Sequence, residues 1–531
     1  MQVVIENTTV EGAGPTVPSY MRVIADALSR YPDREAFVGA GRRLTYAQSA
    51  DLVSRFQQVL HAKGLRAGQT MVVLSPNAPE TYLAQVAAGL SGCRYSGLHP
   101  LGSVDDHVVL CDDADAAVLV VHPAYAETGA AIAARASTLA TVLTLGPADV
   151  GEDLLALAEH VTARPLRAPA ARPGDAVWLP YTGGTTGRSK GVVHTHAAMI
   201  AAMHGIGTAW ELPARPRYLA SAPITHASVL PIAPTLVRGG TVVLLPKFTP
   251  DEWLATVVRE RIDYAFVVPT MLYALLDHAA TASTDLSSLE TVTYGASPMS
   301  EARLREALEV FGPVLMQGYG QTETLGLGTT LRKDEHNPDR RPDLLTSCGR
   351  PVPGAQVELV DAAGDPVPDG EVGEFRLQAD FTMTGYWNQP QLTADTLRDG
   401  WLHTGDLAVR DESGFLHIVD RKKDLIISGA FNIYPSEIEQ VLAADPEVSA
   451  AAVIGVPDEK WGEAVTAFVV ARPSCALDPE RLRLLVRDRK GAHQTPKTVH
   501  VVDALPTTPV GKIDKKALRA RFWTAGARAV N

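Results

Sequence analysis

Residues 70–90 read TMVVLSPNAPETYLAQVAAGL. TMVVL is a short, unbroken apolar run. It predicts a strand buried on both faces, not one face in water. After a turn, APETYLAQVAAGL places its apolar residues at helical spacing. The unit recurs along the chain. AAVLVVHP (116–123), TVVLLP (241–246) and YAFVVPT (264–270) read as buried strands, and AVWLPYT (176–182) precedes a helical THAAMIAAMHGIGTA (195–209). EARLREALEVFG (301–312) is a helix with a glycine stop, and VLMQGYG (314–320) runs from strand into loop. Upstream, YMRVIADALSRYP (20–32) and YAQSADLVSRFQQVLHAKG (46–64) are helices ended by Pro or Gly. Strands alternating with helices imply a mainly parallel sheet covered on both faces.

The pattern changes near residue 350. RPVPGAQVELVDAAGDPVPDGEVGEFRLQ (350–378) has short alternating runs and turn dipeptides, and DLAVRDESGFLHIVDR (406–421) reads as a hairpin turning at DESG. Beyond Arg421 come short helices and strands in α+β order. The expected fold class is therefore α/β. Residues 1–422 form a large N-terminal region of several subdomains with mainly parallel sheets and a β-rich part at about 345–422. Residues 423–531 form a small, mobile α+β C-terminal domain.

A chain of 531 residues exceeds one ordinary core. Its net charge of −12 argues against nucleic acid and against anionic lipid, both of which need a basic surface. Four cysteines with no CxxC pair make no disulfide framework. MQVVIENTTVEGAGP lacks a basic head followed by an apolar stretch, and no run approaches the roughly 18–20 apolar residues of a membrane helix. A cytoplasmic protein without membrane insertion is expected.

Five stretches carry candidate chemistry. YTGGTTGRSKG (181–191) is glycine- and threonine-rich with one lysine. It fails the GxxxxGK[ST] template, because Arg188 and Ser189 separate Gly187 from Lys190, and it fails GxGxxG. Backbone N–H groups of such a turn still converge on an anion, with threonine hydroxyls and lysine as further donors. In GYGQTET (318–324), Tyr319 offers a flat face for a base, Thr322 a hydroxyl, and Glu323 a hard oxygen suited to Mg²⁺ shared with phosphate. In WLHTGDLAVRDESGFLHIVDRKKD (401–424), Asp406, expected at a strand start, is able to accept both ribose hydroxyls, and Arg421 closes the hairpin. SGAFNIYPSEIE (428–439) places Gly429 before a turn, with Pro435 opening a helix. PTTPVGKIDKKALR (506–519) holds Lys512 on a turn. Taken alone, each also reads as ordinary structure: a polar turn, a charged hairpin end, a solvated basic run.

Their order and spacing over about residues 18–522 resemble the adenylate-forming superfamily of acyl- and aryl-CoA ligases, adenylation domains and luciferase-like enzymes. The resemblance implies that Thr182, Gly183, Gly184, Thr185, Thr186, Gly187 and Lys190 form the loop on the β- and γ-phosphates of ATP. It implies that Tyr319 stacks on adenine beside Gly295, Ala296 and Ser297 and next to Gly320. Thr322 would meet the α-phosphate, Glu323 would hold Mg²⁺, and Asp406 and Arg421 would hold the ribose. Lys512 would bridge carboxylate and α-phosphate, Lys423 would serve as the interdomain hinge, and Gly429 would approach the thiol. His226 in PITHAS would line the acyl pocket, together with Ser228, Ile232, Gly295 and the Gly318–Gly320 stretch. Gly183 stands where the family pattern has serine and Ser189 where it has proline, which bears on how tightly the loop closes.

The implied reaction consumes ATP with Mg²⁺ and a carboxylic acid to give an acyl-adenylate, which then passes to the thiol of coenzyme A. The alternatives are loading of a carrier-protein pantetheine thiol, adenylation of another oxyanion such as nitrite for coupling to an amine, and a binding module without catalysis. Retention of both Glu323 and Lys512 weighs against the last.

Overall fold

The computed structural model describes residues 19–167, 171–183, 189–428, 431–458, 461–508 and 512–522. Among them the strands fall into four sheets. The first, of nine strands, runs parallel through its centre. Tyr264–Val267, Thr291–Gly295 and Leu315–Tyr319 lie side by side, with Gly295 opposite Gly318. Helix Glu301–Phe311 links the last two, its first turn capped by the Ser300 hydroxyl. In open parallel sheets, ligands bind beyond the carboxyl ends of the strands. Here those ends carry Gly295 and Tyr319.

The second nine-stranded sheet is parallel around Thr70–Leu74, which is buried throughout and flanked by Arg94–Leu98 and Ala116–Val121. Its other end turns antiparallel. There the expected strand over 176–182 is two short ones, Ala176–Trp178 and Tyr181–Gly183, on either side of Pro180, which has no N–H to give a ladder. An unpredicted strand, Ser189–Thr195, pairs with both, and helix His196–Ala209 starts only after it. The glycine loop therefore connects two antiparallel strands and does not open a helix.

A third sheet, five-stranded and antiparallel, contains the predicted hairpin Trp401–Arg410 and Leu416–Arg421, in which Asp406 lies opposite Arg421. A fourth, also of five strands, begins at Ile426 and includes Val448–Asp458, Gly462–Ala471 and Thr498–Val501. It has its own apolar cluster, built on Ile426, Ile438, Leu442, Val453, Val469 and Leu482. Lys423 lies on the short connection between the third and fourth sheets. Among the described residues no helix is long and apolar enough to cross a membrane.

Candidate active site

The root of the glycine loop is fixed by two bonds to one residue. The Tyr181 hydroxyl donates to the Asp113 carboxylate at 2.6 Å, and the Trp387 indole N–H donates to the Asp113 carbonyl at 2.9 Å. On the adjacent strands Thr182 and Lys190 are register partners. Lys190 Nζ donates to the Tyr386 hydroxyl at 2.9 Å, and that hydroxyl donates to Glu323 Oε1 at 2.7 Å. Lys190 Nζ lies 3.7 Å from the same carboxylate oxygen. Lysine, tyrosine and glutamate thus form one chain of contacts. Thr182 Oγ1 is buried without a hydrogen-bond partner among the described residues. Gly184, Thr185, Thr186 and Gly187 lie outside the described residues, as does Gly429.

Thr322–Thr324 is a single tight 3₁₀ turn after the strand Leu315–Tyr319. The Thr322 carbonyl accepts from His194 Nε2 at 2.8 Å. Burial pushes the His194 imidazole down to about 4, so it is neutral at physiological pH and works as a fixed donor. The Glu323 carbonyl accepts from the Met383 N–H at 2.8 Å, which ties the turn to the segment carrying Tyr386.

Asp406 lies inside its strand, not at the start. The Thr-Gly pair before it does bend the chain, since Gly405 has φ +71°, but the strand runs through the bend. Its carboxylate is 6% exposed and is held by two hydrogen bonds and an ion pair. Tyr319 Oη donates at 2.7 Å and Gln321 Nε2 at 2.9 Å, both to Oδ2, while Arg421 Nε stands 3.3 Å from Oδ1. A carboxylate offers about four acceptor sites and these two hydrogen bonds take two of them, so room remains for two hydroxyls. Tyr319 therefore does more than present a flat face: its hydroxyl orients Asp406, and its ring packs at 5.1 Å against Phe375.

Lys512 is supplied by the chain of the fourth sheet. Its carbonyl accepts from the Thr508 N–H at 2.7 Å, its own N–H donates to Thr508 Oγ1 at 3.2 Å, and Asp514 N–H closes on the Pro506 carbonyl at 2.7 Å. Burial lowers the Lys512 ammonium to about 8, with Arg421 adding to the shift and Asp406 and Glu323 opposing it. Lys512 thus sits in the field of both ends of the cleft. The basic run around it is not a solvated face. Lys515 pairs with Glu439 at 2.7 Å and Arg519 with Asp424 at 2.7 Å, while Lys516 is exposed.

His226 packs edge-on to His99 with centroids 5.3 Å apart, and its Nδ1 meets Thr225 Oγ1 at 2.8 Å. Burial, His99 and Lys512 together depress it to about 3, so it is neutral. Ser228 and Ile232, expected beside it, expose no surface, and the Ser228 hydroxyl is committed to Tyr218 at 2.9 Å. Gly295 and Ser297 flank Ala296, whose φ of +71° is unusual for a residue with a side chain.

The structure joins Lys190 to Glu323 and Asp406 to Arg421 by direct contacts, and Lys512 lies within electrostatic reach of Glu323, Asp406 and Arg421. Tyr386, Gln321 and His194 are additions that the sequence reading missed. Tyr386 and His194 lie far along the chain from the groups they touch, while Gln321 sits within GYGQTET itself. The donor set suits a nucleotide: an orphaned threonine hydroxyl and a lysine at the loop, and an oriented acid–arginine pair on the hairpin. No cluster of three or more metal-ligating side chains occurs among the described residues. A lone carboxylate such as Glu323 fits Mg²⁺ held mainly by phosphate oxygens and water.

The fold is that of the adenylate-forming enzymes. The chain belongs to the AMP-binding enzyme family, whose model matches residues 24–387, while the AMP-binding enzyme C-terminal domain matches residues 437–512. It is 44% identical over 523 residues to the medium/long-chain-fatty-acid–CoA ligase FadD8 of Mycobacterium tuberculosis, covering 96% of this chain and 91% of that one. It is 38% identical to a feruloyl-CoA synthase of Amycolatopsis sp, covering 92% and 96%. Among solved structures, the amide bond synthetase McbA of Marinactinospora thermotolerans superposes with a TM-score of 0.87 at 38% identity, covering 95% and 99%.

Proposed function

We propose that the protein is an AMP-forming acid–CoA ligase in which a large unit, residues 1–422, holds ATP and the acid, and a small unit, residues 423–531, supplies Lys512. The observation that carries the assignment is Lys512 standing in the field of Asp406, Arg421 and Glu323 although it lies on the chain that follows the fourth sheet. In the first half-reaction a carboxylate oxygen attacks the α-phosphorus of ATP and pyrophosphate leaves. In the second, the thiol sulfur attacks the acyl carbon, AMP leaves, and the thiol proton passes to solvent. AMP replaces oxide as the leaving group, which is the chemical purpose of the first half.

The protein aligns anions and neutralises them. Asp406, oriented by Tyr319 and Gln321, accepts the ribose hydroxyls, and Arg421 closes over them. Thr182 and Lys190 meet the outer phosphates, Lys190 leaving the Tyr386 hydroxyl to do so. Thr322 binds at the α-phosphate, and Lys512 links that phosphate to the acid. Glu323 would hold Mg²⁺ as its protein ligand, and the ion would supply positive charge to the phosphates. Neutral His226 lines the acyl site as a polar wall. For the second half the small unit turns at Lys423 and presents the segment around Gly429.

The test is pyrophosphate release from ATP with a panel of acids, medium- and long-chain fatty acids beside hydroxycinnamates, with and without CoA. Acyl-CoA formed with stoichiometric AMP supports the reading; no acid-dependent pyrophosphate overturns it. A second reading rests on the likeness to the amide bond synthetase: an amine takes the acyl group from the adenylate. Replacing CoA by simple amines in the same assay, and by a pantetheinylated carrier protein, decides which acceptor is used.

A further inference from the structure

Away from Lys423, a cluster of four charges joins the two units. Arg303, on helix Glu301–Phe311, has a side chain only 2% exposed. It donates to Asp277 at 2.8 Å, to Glu306 at 2.9 Å and to the Tyr273 carbonyl at 3.0 Å. One guanidinium is thus set against two carboxylates, leaving a net negative charge on that face of the large unit. Arg472, at the end of strand Gly462–Ala471 in the fourth sheet, completes it. Its side chain stands 3.2 Å from Glu306 and 4.0 Å from Asp277, and its own N–H is fixed to the Glu447 carbonyl at 2.8 Å.

We propose that Arg472 is a positioning residue for adenylate formation, fastening the small unit against Glu306 and Asp277 so that Lys512 is held in the cleft. The inference rests on the reading of Lys512 above. An isolated surface ion pair contributes little, because two long side chains must be immobilised. Here one side is immobilised already, since the buried Arg303 holds both carboxylates. The side chains of Arg472, Glu306 and Asp277 are between 25% and 31% exposed, so water is partly excluded and the attraction is stronger than at an open surface. The large-unit half of the cluster also lies close to the cleft in sequence. Helix Glu301–Phe311 follows directly on the GASP segment, 295–298. The cluster is reversible in the way a turning unit requires: it is ionic, and each half keeps its main-chain anchors.

The experiment uses the full chain and the best acid of the panel, and measures the two half-reactions separately. These are pyrophosphate release without CoA, and thioester formation from chemically supplied acyl-adenylate. Arg472→Met is expected to lower the first about tenfold and to leave the second unchanged or faster. Arg472→Lys is expected to retain most of the first, and Glu306→Gln, which leaves the small unit untouched, to reproduce the split. Placed on Lys512→Ala, Arg472→Met is expected to cost nothing further, because groups acting through one another are not additive. Equal losses in both half-reactions, no loss in Arg472→Met, or full additivity with Lys512→Ala overturns the proposal. Full adenylate formation in Lys512→Ala overturns the site reading beneath it, and the role of Arg472 with it.

Discussion

Glu323, on the turn after the strand Leu315–Tyr319, and Lys512, on the chain beyond the fourth sheet, are held by different means. The Glu323 side chain is bound in place: Tyr386 donates to it, Lys190 stands beside it, and its main chain is tied to Met383. Lys512 has a pinned main chain, but its ammonium is where it is because the fourth sheet is where it is. Its lowered pKa records the burial that this placement imposes. A charge held by bonds within one unit is present throughout a catalytic cycle. A charge delivered by another unit can be withdrawn, and burial that already disfavours its charged form makes withdrawal cheaper.

That contrast is tested first by Lys512→Ala. Losing one preorganised charge costs about 10²–10³ in rate, so adenylate formation should fall by that factor while thioester formation from supplied adenylate holds. Equal losses in both halves would break the contrast. The better control is Lys516→Ala, expected to be neutral, because Lys515→Ala would strand the Glu439 carboxylate with which it pairs.

Glu323→Gln keeps shape and removes the metal-binding charge. Overall turnover should drop by about 10²-fold, with the Mg²⁺ concentration for half-activity rising. Near-normal activity at limiting Mg²⁺ would remove Glu323 from the metal site.

Asp406→Ala should raise the KM for ATP by about 10- to 100-fold, the loss of charge-assisted hydrogen bonds to the ribose. An unchanged KM in a folded variant would place Asp406 outside the nucleotide site.

The smallest effect is in pH. Lys512 acts only when protonated, and in the free enzyme it loses its proton as pH rises through about 8. The kcat/KM for adenylate formation should therefore decline above that pH, and the declining limb should vanish in Lys512→Ala. In kcat the limb should lie higher, because bound ATP adds negative charge beside the ammonium.

Most of the fold is legible in the sequence because buried parallel strands and amphipathic helices write their periods locally. Helices Tyr20–Arg30, Tyr46–Ala62 and Pro79–Leu90 follow their apolar spacing and their Pro and Gly stops. Strand Ser189–Thr195 was not, because SKGVVHT mixes polar residues into a strand whose partners lie on either side of it. Asp406 and Arg421 were legible as a pair because a hairpin brings them together. Tyr386 was not: it reaches Glu323, 63 residues away, only because its strand pairs with Val192. Lys515 looked solvated beside Lys512, since a charge run in sequence does not reveal that Glu439 lies opposite.

At Gly295 an added methyl would sit 2.3 Å from the Gly318 carbonyl oxygen, and at Gly320 it would sit 2.2 Å from the Gly326 main chain. The main chain at Gly295 and Gly320 is therefore packed directly against other backbone, and no substitution there is accommodated without moving two strands or a loop. On the proposed reading, in which Gly295 and the Gly318–Gly320 stretch line the acyl pocket, that side is closed to an engineer seeking to change which acid is accepted. On that reading, variation would have to enter through side chains such as His226.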